Sequence, residues 1–165
     1  MVDSHRFLDG VTKRVMRHWS DIRATGSIPW TPLTIPVPQC TIALVSSAAL
    51  ALNSDRPFDL EIERLDPWSS DPSYRVLPRD TRTGEVQICH LHINPAFAKQ
   101  DLNSVMPLER LVELVALGEV GASAPSHYSY VGYTLRPERL LHETVPSIVQ
   151  QMKQERVDAV VLVPV

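Results

Sequence analysis

Apolar residues along this chain follow two patterns, continuous runs and stripes at three- and four-residue spacing. Continuous runs are typical of strands that are buried on both faces, and stripes are typical of amphipathic helices. The runs are QCTIALVSS (39–47), EVQICHLHIN (85–94) and DAVVLVPV (158–165). The stripes cover 5–24, 107–121 and 136–157. Because strands and helices alternate, the sequence predicts an α/β fold with a mostly parallel sheet and flanking helices.

A proline-rich segment, SIPWTPLTIPVP (27–38), separates the first helical stripe from the first strand. Proline removes a backbone donor and disfavours helix at the residue before it, so this segment is predicted to be an extended arm. We therefore divide the chain into residues 1–38, a helix and an arm, and residues 39–165, a single α/β domain. Pro146 is predicted to break or kink the last helix.

Composition narrows the class of protein. Hydrophobic residues make up 44% of the chain, which is enough for a core, and the net charge of −3 disfavours nucleic-acid binding. No apolar run is long enough to span a bilayer. The two cysteines, Cys40 and Cys89, cannot form a disulfide framework and are interpreted as small buried hydrophobes. We expect a cytoplasmic protein without nucleic-acid or membrane partners.

The clearest polar feature is CHLHIN, at the end of the second predicted strand. Alternate residues of a strand share a face, so His90, His92 and Asn94 would point one way at the carboxyl end, where α/β sheets bind ligands. His-x-His is also a metal-pair spacing, for which His127 is a candidate third ligand. No carboxylate with strong ligand spacing accompanies it. Hydrogen-bonded strand-end residues, a substrate site and a metal site all stay open.

Two further segments carry candidate chemistry. SHYSYVGY (126–133) offers His127 as an acid or base and Tyr128 and Tyr133 as phenolic donors, unless it is an aromatic loop folded onto the core. VSSAAL (45–50) places Ser46 and Ser47 in a turn that a ligand could approach, but it lacks the glycines of a nucleotide fingerprint. The segment DPSYR (71–75) is a substrate clamp or a set of loop ion pairs.

Seven stretches occur in the order found in one family: TIALVSSAAL, RPFD, DPSYRVLP, CHLHIN, NSVMPLERLVELVALGEVG, HYSYVGY and VDAVVLVPV. Together they resemble the selenoprotein B-like proteins of the glycine/betaine/sarcosine/D-proline reductase family. The resemblance implies reductive cleavage of a carbon–nitrogen bond in a small amino acid or amine. It also implies a selenolate or thiolate nucleophile, a thiol reductant protein, and a partner subunit or a second copy of the chain.

In that family the strand that DAVVLVPV resembles is followed at once by selenocysteine or cysteine. The expectation is therefore an N-terminal fragment, inactive alone, that stops at Val165 where a selenocysteine codon is read as a stop. No other cofactor and no metal are expected in this chain. The predicted catalytic residues are His90, His92 and His127. The predicted substrate-binding residues are Ser46, Ser47, Asn94, Tyr128 and Tyr133. The alternatives are a metal-dependent hydrolase or lyase that uses the three histidines, and a non-catalytic partner subunit.

Overall fold

The computed structural model describes residues 10, 11, 14, 31–66 and 68–165, and the chain divides by contacts into two units, 1–32 and 33–165. In the first unit, Gly10, Val11 and Arg14 are helical, within the helix predicted over 5–24. The rest of that helix, and the predicted arm up to Trp30, lie outside the described residues. The predicted boundary at residue 38 therefore stays a prediction.

The second unit contains seven strands and four short α-helices among its described residues. The strands are β1 Thr41–Ser46, β2 Leu50–Leu52, β3 Tyr74–Pro78, β4 Val86–Ile88, β5 Ala122–Ser123, β6 Ser126–Tyr130 and β7 Ala159–Val163. The α-helices are Glu61–Leu65, Pro95–Gln100, Leu108–Ala116 and Val145–Gln154. Two 3-10 turns, Val37–Gln39 and Leu102–Ser104, and a π turn, Leu140–Thr144, complete the regular structure.

Strand β1 is the centre of the main sheet. It pairs in parallel with β7 on one side, in the register Ile42↔Ala159 to Ser46↔Val163. On the other side it pairs in parallel with β5 and then β6, and β3 lies antiparallel outside β6. Strands β2 and β4 form a separate antiparallel pair. The prediction of an α/β fold with a mostly parallel sheet is confirmed.

Both faces of β1 are covered, which is why its sequence is a continuous apolar run. Alternate residues face opposite sides: Ile42 and Leu44 join a core with helix 108–116, and Ala43 and Val45 join a core with helix 145–154. Each buried aliphatic side chain of this kind stabilises the fold by roughly 1.5–3 kcal/mol. The strand therefore anchors the two helical layers.

Two predicted elements differ from the structure. The strand predicted over 85–94 spans only Val86–Ile88 and pairs antiparallel, because a turn follows at 91–93 and Asn94 caps the helix that begins at Pro95. The predicted helix 136–157 begins later and widens into the π turn Leu140–Thr144 just before Pro146. That break is the predicted one, because Pro146 lacks the N–H that would bond one turn back.

Strand β7 is an edge strand in the described part of the chain, where it pairs only with β1. Its side chains are partly open to solvent on both faces, and Leu162 is 71% exposed. Across the described ranges, none of the helices has the length and apolar character needed to cross a membrane.

Candidate functional site

The turn after β1 is the point at which four strand ends meet. Its backbone bonds to the ends of the other strands: Ser47 N–H to Val163 O (3.1 Å), Ala49 N–H to Tyr130 O (3.0 Å), Gly132 N–H to Ser47 O (2.9 Å) and Cys89 N–H to Ala49 O (2.9 Å). The turn therefore joins the carboxyl ends of β7, β6 and β4. In α/β proteins this edge of a parallel sheet is where ligands bind.

The approach of β6 to this turn requires glycine at position 132. A Cβ atom there would lie 2.5 Å from Ser47 Cβ and 2.8 Å from Ser47 O, closer than such atoms approach. Ala49 adopts a positive φ of 53°, which is uncommon for a residue other than glycine. The turn is therefore held tightly between its neighbours.

The two serines of the turn use their hydroxyls to hold its shape. Ser46 Oγ is buried, donates to Val105 O (2.7 Å) and accepts from Ala48 N–H (3.2 Å). Ser47 Oγ accepts from Val165 N–H (2.8 Å), so it fixes the chain just beyond β7. The predicted substrate contacts from these serines stay predictions, since both hydroxyls already have protein partners.

His90 and His92 lie beside this turn but not on a strand. The His92 backbone N–H donates to His90 Nδ1 (3.1 Å), so the His90 proton sits on Nε2. That Nε2 atom is buried and has no partner in the part of the chain that the structure describes. Burial and the neighbouring His92 lower the pKa of His90, against an opposing effect of Glu63. His90 therefore shapes the loop through its Nδ1 atom, and its predicted catalytic role stays a prediction.

His92 has a different environment. Its Nε2 atom contacts a carboxylate oxygen of Glu63, and its ring lies 4.2 Å from the Tyr133 ring, centroid to centroid. The His92 side chain is 48% exposed, whereas the Glu63 side chain is only 5% exposed. This cluster, which we call the His92 cluster (Glu63, His90, His92 and Tyr133), presents one accessible imidazole backed by a buried carboxylate.

Sequence reasoning did not identify Glu63. It lies 29 residues before His92, and no spacing rule connects a short helix to a loop at that separation. The available signal was the pair of motifs that flank it, RPFD and DPSYR, whose purpose the sequence alone left open. The structure shows that these motifs hold the helix that carries Glu63.

Arg75 and Asp71 hold helix 61–65 in place. The Arg75 guanidinium donates to Arg56 O (2.9 Å) and Pro57 O (3.1 Å) and lies 4.2 Å over the Phe58 ring. Asp71 accepts from the Asp59 N–H (2.8 Å), two residues before helix 61–65. A helix of five residues is not stable alone, so these contacts fix its position. DPSYR is therefore a structural clamp on the protein's own loop.

His127 lies within the sheet, apart from the His92 cluster. Ile42 pairs with Ser123 and Val45 pairs with Tyr128, so the partner strand carries two extra residues between these points. In that gap, His127 Nδ1 accepts from Leu44 N–H (2.9 Å) and Nε2 bonds to Ser123 Oγ (3.1 Å). Burial, with a smaller effect of Arg79, lowers the pKa of His127 to about 4. His127 thus replaces a missing ladder bond, which corrects the expectation that three histidines surround one substrate.

The other predicted substrate residues also differ in whether they have structural roles or lie beside His92. Tyr128 is fully buried in the core, and burial, with Glu155 and Tyr74, raises its pKa to about 12. Asn94 Oδ1 accepts from Ala96 N–H (3.0 Å) as the N-cap of helix 95–100. Of the five predicted substrate residues, Tyr133 is the one that the structure brings to His92.

Comparison with known proteins places this chain in a family. A family model described as glycine/sarcosine/betaine reductase selenoprotein B matches residues 20–165. The chain is 30% identical over 133 residues to D-proline reductase subunit gamma of Acetoanaerobium sticklandii, an alignment that covers 81% of this chain and 52% of the relative.

This chain belongs to the selenoprotein B family of the glycine/sarcosine/betaine reductases. The resemblance stated from the motifs is confirmed. The chain spans about half the length of the curated relative it matches. No solved structure matches it.

The family motifs now have structural positions. TIALVSSAAL forms β1 and the turn where the strand ends meet. CHLHIN supplies His90 and His92, and HYSYVGY supplies Gly132 and Tyr133. Within the described ranges, no group of three or more His, Cys, Asp or Glu residues is placed to hold a metal ion.

Proposed function

We propose that this protein is a reductase component that takes part in the reductive cleavage of a carbon–nitrogen bond in a small amino acid or amine. The substrate class is that of D-proline, glycine, sarcosine and betaine. The observation that carries the proposal is the His92 cluster at the carboxyl edge of the sheet, in a chain of this reductase family. The proposed partners are a thiol reductant protein and a second reductase subunit. The name of the matched relative, which is a subunit, supports the second of these.

A proton donor at the nitrogen assists this chemistry for primary and secondary amines. A selenolate or thiolate forms a bond to carbon as the carbon–nitrogen bond breaks, and the electron pair of that bond leaves with nitrogen; a primary or secondary nitrogen takes up a proton, whereas the quaternary nitrogen of betaine needs none. One thiol of a dithiol protein then attacks the bound selenium or sulfur, the carbon–selenium or carbon–sulfur bond breaks and the carbon takes up a proton. The second thiol displaces the selenolate or thiolate, and the dithiol becomes a disulfide. Such general acid catalysis by a positioned histidine contributes typically 10²–10⁴-fold. His92, accessible and backed by Glu63, is suited to this role.

The nucleophile is proposed to follow the β7 strand, as the family resemblance implies. Support comes from the carboxyl edge itself: Val165 N–H bonds to Ser47 Oγ, Ser47 O accepts from Gly132 N–H, and Tyr133 follows Gly132. A contact path therefore leads from the end of β7 to the ring of His92. Residues at the ends of these strands would face one shared space.

The test is an assay of the tagged full-length protein, isolated with its partner subunits from the cells that make it. D-proline, glycine, sarcosine and betaine are supplied separately with a dithiol, and products are measured by mass spectrometry. We expect dithiol-dependent cleavage of one of them. Absence of cleavage of all four by the intact complex would overturn the proposal.

Two histidine variants sharpen this test. We expect His92→Ala to lower kcat by about 10²–10⁴-fold. The matched control is His142→Ala, because His142 is an exposed histidine on the π turn and is not a member of the His92 cluster. An equal loss of kcat in the two variants would remove His92 from the mechanism.

A further inference from the structure

Glu63 restricts which nitrogen of His92 carries a proton. An ionised carboxylate only accepts hydrogen bonds, so its contact with His92 Nε2 requires the proton to be on that nitrogen. In the neutral imidazole the lone pair is then on Nδ1. Since the Glu63 side chain is 5% exposed, solvent competes little for this contact.

The opposite nitrogen of the ring is left for a ligand. In the described part of the chain, no hydrogen bond involves His92 Nδ1, and the side chain is 48% exposed. The Tyr133 ring lies against the imidazole at 4.2 Å, and the His90 ring meets it edge-on at 5.9 Å. The ring is therefore held in orientation on two sides while Nδ1 stays accessible.

The free-energy cost of burying the Glu63 carboxylate also indicates that its position serves a specific purpose. A buried carboxylate without a partner is strongly unfavourable, and placing one against an imidazole offsets that cost only if the geometry is held. Arg75 and Asp71 hold this geometry, because they bind the segment before helix 61–65. Two family motifs thus serve to keep one carboxylate against one histidine.

We propose that Glu63 is a positioning residue that fixes neutral His92 as its Nε2–H tautomer, so that Nδ1 faces the substrate. Nδ1 takes up a proton before the reaction, and the resulting imidazolium delivers that proton to the leaving nitrogen. The role at the leaving nitrogen rests on the proposed function. The control of the tautomer by Glu63 does not, since it follows from the contact of Nε2 with an ionised carboxylate.

The experiment combines a spectroscopic and a kinetic measurement on the full chain. Histidine labelled with ¹⁵N reports the tautomer of His92 in long-range ¹H–¹⁵N correlation spectra, and kcat is measured in the isolated complex. The variants are Glu63→Gln, which keeps the shape but removes the obligatory acceptor, and Glu63→Met, which removes hydrogen bonding. The matched control is Glu61→Gln, an exposed carboxylate of the same helix that pairs with Arg64.

We expect wild-type His92 to be a single Nε2–H tautomer and both Glu63 variants to show a mixture of the two. We expect kcat to fall about 10- to 100-fold, the loss found for residues that orient catalytic or ligating histidines, with little change in KM. Glu61→Gln should change neither reading. Unchanged His92 ¹⁵N shifts in Glu63→Gln would overturn the inference whatever the activity. A Glu63-dependent tautomer in a complex that cleaves none of the four substrates would instead overturn the proposed function and, with it, the proton-delivery role.

Discussion

Two histidines, His127 in the sheet and His92 at its carboxyl edge, each bond through Nε2 to an oxygen of a side chain, yet their surroundings differ. His127 is fully buried, and its partners are a backbone N–H and the hydroxyl of Ser123. His92 is about half exposed, and its partner is the buried carboxylate of Glu63. The first environment excludes a charged imidazole, and the second provides a balancing charge for one.

Exposure and the charge of the partner separate an imidazole that is held inside the sheet from one that is open to a ligand. Both residues stand in motifs that the sequence marked as candidate chemistry. The sheet interior uses its imidazole as a neutral connector that replaces a lost ladder bond. The carboxyl edge keeps one ring nitrogen accessible beside a carboxylate. The predictions below test each half of this contrast.

Replacing the interior histidine should have the largest effect on stability. We expect His127→Ala to lower the free energy of unfolding by about 3 kcal/mol, because it leaves a cavity and the buried Leu44 N–H without a partner. His127→Asn should recover part of this loss, since its Oδ1 can accept from Leu44 N–H. Denaturant unfolding measures both, and His142→Ala, a comparison variant at an exposed histidine, should change stability by less than about 1 kcal/mol. A loss in His127→Ala no larger than that in His142→Ala would contradict the structural role of His127.

Acid should destabilise the sheet interior through the same residue. The folded pKa of His127 is about 4, below the usual value, so the unfolded chain binds more protons between these two pH values. The contribution of His127 is complete above the usual pKa and is lost as the pH falls towards 4, by about 2 kcal/mol between pH 7 and pH 5. Unfolding curves at the two pH values measure it. The same slope in His127→Asn would contradict this origin.

Alanine substitutions at Gly132 and Gly121, one at each edge of the sheet, should show that loss of stability and loss of activity have different causes. A Cβ atom at Gly132 would meet Ser47 at the carboxyl edge, and one at Gly121 would lie 2.7 Å from Gln39 C at the amino edge. We expect Gly132→Ala and Gly121→Ala each to lose roughly 1–3 kcal/mol of stability, as overpacked sites do. Only Gly132→Ala should also lower kcat in the isolated complex. Equal losses of kcat would mean that the carboxyl edge has no special part in the reaction.

The smallest effect is expected at Asn94. Asn94→Ala should cost about 1 kcal/mol because helix 95–100 loses its N-cap, whereas Asn94→Ser keeps a capping oxygen. Thermal or denaturant unfolding measures the cost. If Asn94 also binds substrate, as the sequence pattern indicated, Asn94→Ser would raise KM despite normal stability.

Whether each sequence prediction agrees with the structure depends on which interactions its pattern can reveal. The runs around β1 and β7 predicted buried strands. The prediction holds for β1, which is covered on both faces, whereas β7 is an edge strand whose side chains are partly exposed. CHLHIN was predicted as a strand end with alternating side chains, but His90 Nδ1 captures the His92 N–H and Asn94 caps a helix. These local side-chain bonds compete with the ladder, and alternation alone does not reveal them.

By itself the sequence determined the α/β class, the two faces of β1 and the family, because periodicity and ordered motifs depend only on residues near one another in the chain. The tertiary structure decided the roles of the histidines. Glu63 reaches His92 across 29 residues because RPFD and DPSYR clamp its helix. His127 enters the sheet because its own segment, from β5 to β6, has two more residues than the part of β1 with which it pairs. Partner charge and burial arise from such long-range contacts, and they decide which imidazole is accessible for chemistry.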